Sequence, residues 1–514
     1  MAEHYDIIII GTGAGGGTLA NHLAPSGKKI LILERGGFLP REKENWDPEA
    51  VFVENRYTTP ETWYDKDNKP FHPGVHYYVG GSTKVYGSAL LRMRQTDFGD
   101  VKHYDGTSPA WPLEYQDLAP YYLEAETLYH VHGERGADPT EPPCEQPYPY
   151  PHVAHEPRIQ ELFEDLKKIG HHPFPLPLGL ILDEQHKEKS PCIKCSTCDG
   201  FPCLVDGKAD AHVVGVNRAL QHDNVTLMTQ TYVEKLITDP SGKEIKEVQA
   251  LSQGTPVRFK GDIVIVSCGA VNSAALFLRS ANDKHPNGLS NSSDCVGRFY
   301  MCHNNSALVA LSRRPNPTKF QKTIGLNDFY YGAEDSELPL GHIQMLGKSQ
   351  GPMFRGDAPR ITPEIALDEM ASHAIDFWLT TEDLPDPNNR VTINDKGVIS
   401  LHYTENNLEP HKRLTDKLKN MLSHIGCENT LLPRHIYLGK KIPIQGTAHQ
   451  VGTLRFGKDP KSSVLDIHCK SHEIDNLYAV DGSFFCSSSA VNPGLTIMAN
   501  ALRVGDHLLE RLKS

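Results

Sequence analysis

The sequence predicts an α/β protein in which a Rossmann-like dinucleotide-binding domain is interleaved with a second, α+β domain. Three observations lead there. A chain of 514 residues is too long for one hydrophobic core, because such cores stop growing near ~250–300 residues. Strand-like apolar runs pass directly into small-residue turns and helices at the N-terminus, in the middle and near the C-terminus. The stretches between them carry no glycine-rich cofactor turn.

The first of these units is the most specific. Tyr5 to Ile10 is an apolar run rich in β-branched residues, followed at once by Gly11-Thr12-Gly13-Ala14-Gly15-Gly16. Apolar residues at helical spacing come next, then a second strand, Lys29 to Leu33, ending in Glu34. Gly11, Gly13 and Gly16 fill G-x-G-x-x-G in a strand-turn-helix context. The glycines allow a tight turn, close backbone approach to a pyrophosphate and close helix packing, while the helix N-terminus offers free amides. Glu34 is placed for a ribose hydroxyl and disfavours a 2′-phosphate. The glycines do not separate FAD from NAD.

Val79 to Ala89 is a second Gly/Ser-rich loop. Asp117 to Glu126 reads as a helix started by Pro120, and residues 139–157 and 171–177 as Pro-rich connections. Val225 to Met228, Tyr232 to Ile237 and Gly261 to Ser267 read as strands, the last leading into Gly269 and a helix. Pro410 to Leu422 reads as a helix, Asn476 to Val480 as a strand, and Asn492-Pro493 as the start of the last helix.

Composition narrows the function classes. The net charge of −12 comes with no basic stripe, which argues against nucleic acid. No stretch approaches the ~18 apolar residues of a membrane span, and the N-terminus lacks a basic-then-apolar leader. A cytoplasmic location is the expectation. Eleven cysteines cannot all pair internally. Four of them, Cys192, Cys195, Cys198 and Cys203, form C-x2-C-x2-C-x4-C within a loop at 191–203. An iron-sulfur centre, zinc, local disulfides and plain thiols are all open readings of that spacing.

Four segments in order resemble the glucose-methanol-choline (GMC) flavin oxidoreductases over nearly the whole chain. They are Gly11 to Gly16 with Glu34; Gly80 to Thr83; Gly269 to Leu276; and His449-Gln450-Val451-Gly452-Thr453 with Asp481-Gly482 and Asn492-Pro493. The resemblance implies the GMC fold, with an FAD domain at 1–100, 204–297 and 440–514 and a substrate domain at 101–203 and 298–439. It places Gly11, Gly13, Ala14 and Gly16 at the diphosphate, Glu34 and Arg35 toward the adenosine, and Val233 at adenine. Gly80, Gly81, Ser82 and Thr83 fall to the flavin and diphosphate, with Gly269, Asp481, Gly482, Asn492 and Pro493 as further cofactor contacts. Some relatives bind flavin covalently through a histidine in the second loop. Lys84 stands in that neighbourhood here, so noncovalent FAD is expected.

The implied reaction oxidises a CH–OH group to a carbonyl. An alcohol is too weak an acid to lose its proton unaided, and a histidine with a free pKa near ~6.5 suits the task. His449 holds the family's base position and Asn492 the paired position, where an amide can hold the substrate oxygen but cannot take its proton. Gln344, Phe377 and Trp378 are candidate substrate contacts, since aromatic faces and amides suit sugars. His342 and His373 are secondary candidates. The expected substrate is a small alcohol, the similarity of the C-terminal segment to the pyranose-oxidase branch of the family implying a sugar or glycoside, and oxygen or another acceptor takes the electrons. Two alternatives stand beside it: an alcohol or sterol dehydrogenase passing electrons through a cysteine-held iron-sulfur centre, and a non-oxidative lyase-type FAD protein.

Overall fold

A computed structural model describes residues 3–355, 362–425, 438–442 and 444–513. Ile7 to Ile10 are buried on both faces of the strand Glu3–Ile10, as expected for a central parallel strand. The order of its sheet is Val225–Met228, Ile30–Leu33, Glu3–Ile10, Thr255–Val266, Ile245–Ser252 and Thr231–Thr238. Leu477–Ala479 pairs in parallel with the end of Thr255–Val266. Five strands therefore run parallel and finish at one edge, Ile10 beside Leu33 and Val266, and Met228 and Ala479 outside them. Ligands of open α/β sheets bind at that edge.

The helix Ala14–Leu23 lies beside the last helix, Gly494–Arg511, where His22 Nε2 meets Asp506 Oδ1 at 2.9 Å. A third helix, Tyr115–Leu128, packs against that last helix through Tyr122 Oη and Thr496 Oγ1 at 2.8 Å. It starts at a capping box between Glu114 and Asp117 rather than at Pro120, which lies inside it. Behind it, Glu126 accepts from Arg92 Nε at 2.6 Å, Arg92 Nη2 at 2.7 Å and Arg135 Nη2 at 2.7 Å, all in the interior. Removing one partner of a buried ion pair strands the other charge away from water. Glu126→Ala should therefore destabilise the protein by about 3–5 kcal/mol, read as a lowered denaturation midpoint.

The second sheet is antiparallel, in the order Leu438–Lys441, Asn304–Leu311, Ala374–Thr381, His342–Met345, Ile324–Leu326 and Phe174–Pro175. Its side chains alternate cleanly. Leu308, Ala310, Ile343, Met345, Ile375, Phe377 and Leu379 join an apolar cluster with the helices Pro157–Lys168 and Leu408–His424. The residues between them, among them Asn305, Gln344, Asp376 and Trp378, face the opposite side. Pairing extends this sheet to Lys441, two residues past the boundary expected at 439. Trp63–Asp65 and Pro70–Phe71 pair with Ile399–His402 and Arg390–Ile393 in a small separate sheet, so residues 1–100 are not confined to the first one.

Candidate active site

One cavity of about 1180 Å³ runs along the carboxyl edge of the first sheet to the open face of the second. Its first wall is the glycine turn. Gly11 has φ of 100°, and a β-carbon there would fall on the Ser267 carbonyl. Gly13 N-caps the helix Ala14–Leu23, and the space beside it is open, so the helix amides face the cavity unobstructed. Glu34 accepts from Thr12 N at 3.1 Å, Thr12 Oγ1 at 2.5 Å and Gly36 N at 2.9 Å. Burial raises its pKa, against the pull of these donors. Arg35 pairs with Glu61 at 3.1 Å and lies over the rings of Tyr77 and Tyr232, and Val233 lines the same end.

The second glycine loop closes over the first. Gly80 N donates to Thr12 Oγ1 at 3.0 Å, and Gly81, Ser82 and Thr83 form a 3₁₀ turn along the cavity. Lys84 turns inward, its Nζ 2.8 Å from Asp210 Oδ2 and both groups buried. Gly269 N-caps a second helix, Ala270–Arg279, that also opens on the cavity. Asp481 braces that turn. Its carboxylate accepts from Gly269 N at 3.0 Å, from Ser483 N at 2.9 Å and from Ser273 Oγ. Through these bonds Asp481 positions the turn beside Gly482, and it lines the cavity as well.

His449, Asn492 and Pro493 stand at the far end. The last helix is capped at Pro493, not at Asn492 as expected, and Asn492 Oδ1 is buried without a hydrogen-bond partner among the described residues. Opposite them is the polar face of the second sheet. Trp378 lies directly across from both Gln344 and Ala307, and Asn305 is two residues along the same face. Trp378 Nε1 and Asn305 Oδ1 are likewise buried without partners among the described residues. Phe377 is different. Strand alternation sends its side chain into the apolar cluster behind the sheet, so that it borders the cavity while packing in the core. His342 stands behind Gln344, bonded to Asn327 and Gln344, and His373 bonds the Ser312 carbonyl away from the cavity.

Burial first and the nearby His303 second push the His449 pKa down to about 3. His303 escaped the sequence reading, although the polar run His303-Asn304-Asn305 at the start of a buried strand was a signal for it. Arg279 escaped it too; it lines the cavity and donates to Tyr232 Oη.

The cysteine loop contributes to the cavity wall. Cys192, Cys195, Cys198 and Cys203 are free thiols, and among the described residues no group of three or more His, Cys, Asp or Glu is arranged to hold a metal ion. Burial pushes the Cys192 thiol up to about 12 and raises Cys198 as well, so both are protonated at neutral pH. The iron-sulfur and zinc readings therefore find no support among the described residues, and the four cysteines stand as plain thiols. The loop path is set by other bonds. Lys208 Nζ donates to the carbonyls of Cys198 and Phe201 at 2.9 and 3.0 Å, and Asp199 pairs with Lys322. Ser196, Asp199, Gly200 and Phe201 thereby reach the cavity.

Two strand-turn-helix cradles feeding one cavity that ends at a histidine define a dinucleotide-dependent oxidoreductase. Residues 5–305 and 385–501 match the family models of the GMC oxidoreductases. The chain belongs to that family. It is 30% identical to the 6'''-hydroxyparomomycin C oxidase of Streptomyces lividus, over 99% of this chain and 92% of that protein. It is 28% identical to the paromamine 6'-oxidase of Streptomyces fradiae, over 97% and 90%. Among solved structures, the pyridoxine 4-oxidase from Mesorbium loti superposes with a TM-score of 0.67 at 17% identity, covering 98% of this chain and 99% of that one. The protein is an FAD-dependent oxidoreductase acting on CH–OH groups. The bare cradle beside Gly13, the two helix N-termini and the orphaned Asn492 Oδ1 fit such a dinucleotide. Among the described residues no helix is long and apolar enough to cross a membrane.

Proposed function

We propose that the protein oxidises a hydroxyl-bearing carbon of a sugar or glycoside, with His449 as general base, Asn492 holding the reacting oxygen and FAD bound noncovalently. The observation that carries the substrate class is the set of orphaned polar atoms, Trp378 Nε1, Asn305 Oδ1 and Asn492 Oδ1, in the walls of one cavity. A buried polar atom without a partner costs about 1–3 kcal/mol, and a ligand with several hydroxyls supplies the missing partners. The two Streptomyces relatives, a 6'''-hydroxyparomomycin C oxidase and a paromamine 6'-oxidase, support the same class.

The chain's own part in the step follows from its geometry. Asn492 and the sheet face orient the alcohol, and His449 takes the hydroxyl proton while the carbon gives up hydride with its electron pair. The bound flavin supplies the hydride acceptor. Gly13, Gly269 and the loop Gly80 to Thr83 hold the dinucleotide, with Glu34, Arg35 and Val233 at its adenosine end. Lys84 is paired with Asp210 in the interior and is no candidate for a covalent flavin link. The free cysteines agree with a reducing, cytoplasmic setting.

Anaerobic flavin bleaching across glycosides, free sugars, sterols and simple alcohols tests this reading. Glycosides or sugars should bleach the flavin at the lowest concentrations, and Trp378→Phe should raise their KM about tenfold while leaving simple alcohols unaffected. Preferential bleaching by sterols or short alcohols would overturn the sugar reading, and turnover without bleaching would favour lyase chemistry.

A further inference from the structure

Resting on the assignment of His449 as base, we infer that His303 is the positioning residue that fixes the tautomer of His449 and leaves its Nε2 as the proton acceptor. The inference follows from three hydrogen bonds. His303 Nε2 lies 3.0 Å from the Ser488 carbonyl oxygen, which can only accept, so Nε2 of His303 carries the hydrogen. In a neutral ring Nδ1 of His303 is then bare. It lies 3.0 Å from His449 Nδ1, which must therefore donate to it. The remaining lone pair of His449 is on Nε2, and His449 lines the substrate end of the cavity.

The backbone around His303 is built to hold this aim. His303 has φ of 64°, a left-handed conformation that few non-glycine residues adopt, and such residues persist only where the surroundings enforce them. Here the enforcement is Asp383. One of its carboxylate oxygens accepts from His303 N at 2.9 Å, and the other accepts from Cys302 N at 2.9 Å and Tyr403 Oη at 2.9 Å. Ser488 Oγ, on the residue whose carbonyl holds the ring, donates to the same carboxylate at 3.1 Å. Asp383 thus grips both the backbone of His303 and the segment that orients its imidazole. The two rings meet edge to face at 88°, which leaves the His449 ring pinned at one edge.

The test is made on holoenzyme labelled with ¹⁵N-histidine, with the His449 signals identified by their loss in His449→Gln. Solid-state ¹⁵N spectra of the wild type should show His449 protonated at Nδ1 and bare at Nε2. His303→Leu, which can neither accept from His449 nor donate to Ser488, should lose that signature and lower kcat for flavin reduction on the order of 100-fold with KM little changed. His303→Gln, whose amide can do both, should recover most of the rate and the signature. A wild-type spectrum with the proton on Nε2 overturns the inference even where His303→Leu does not fold. So does a His303→Leu enzyme with wild-type kcat. Failure of the underlying assignment looks different: His449→Ala would then keep its rate whatever the spectra show.

Discussion

His449→Ala is expected to slow anaerobic reduction of the flavin by alcohol about 10²- to 10⁴-fold, with FAD content and melting temperature close to wild type. The magnitude is that of a positioned general base, since Asn492 can hold the alcohol but has no capacity to take its proton. The side chain lines the cavity and, among the described residues, makes one hydrogen bond, to His303, so its loss leaves little of the described fold unsupported. The pH profile checks the same role independently. With its pKa pushed down to about 3, chiefly by burial, His449 is neutral, and therefore able to accept a proton, through the whole neutral range. The acid limb of kcat/KM should lie well below the ordinary histidine value of ~6.5. An Ala variant with unchanged flavin reduction would remove His449 from the chemistry, whereas a wild-type acid limb near ~6.5 would mean only that the bound state restores ordinary histidine basicity.

What could be read in advance was whatever a short stretch of chain determines by itself. The turn at Gly11 to Gly16 declares itself because its steric demands arise within one strand, one turn and one helix. The helix Leu408–His424 and the strand Leu477–Ala479 fall close to their expected limits for the same reason. Properties that depend on pairing were out of reach. Phe377 and Trp378 look equivalent in sequence, and only the register with Leu308 and Gln344 turns the first side chain into the apolar cluster and the second to the opposite face, though both residues border the cavity. His303 meets His449 across 146 residues, through a left-handed backbone that no local pattern announces. The cysteine spacing states what four thiols could reach. Where the backbone goes is decided by Lys208 and Lys322, which hold the loop by its carbonyls and by Asp199.

The two glycines that flank Thr12 separate what the fold needs from what the cofactor needs. At Gly11 a methyl group would overlap the Ser267 carbonyl on the neighbouring strand, at a φ of 100° that strains any L-residue. Gly11→Ala must therefore push Glu3–Ile10 and Thr255–Val266 apart at the point where their ends form the cavity. Gly11→Ala should destabilise the protein with or without cofactor and purify with little or no FAD. At Gly13 the same methyl meets nothing within 4 Å, and φ is −68°, open to any residue. The cofactor-free Gly13→Ala chain should melt like wild type. Its methyl occupies the space through which the amides of Ala14–Leu23 approach a diphosphate, so its cost should appear as weakened FAD binding alone. Titrating FAD into both cofactor-free variants, alongside their melting curves, distinguishes the two. Wild-type FAD affinity in Gly13→Ala would mean that the diphosphate does not lie against this helix terminus, and the cofactor would have to be placed elsewhere along the cavity.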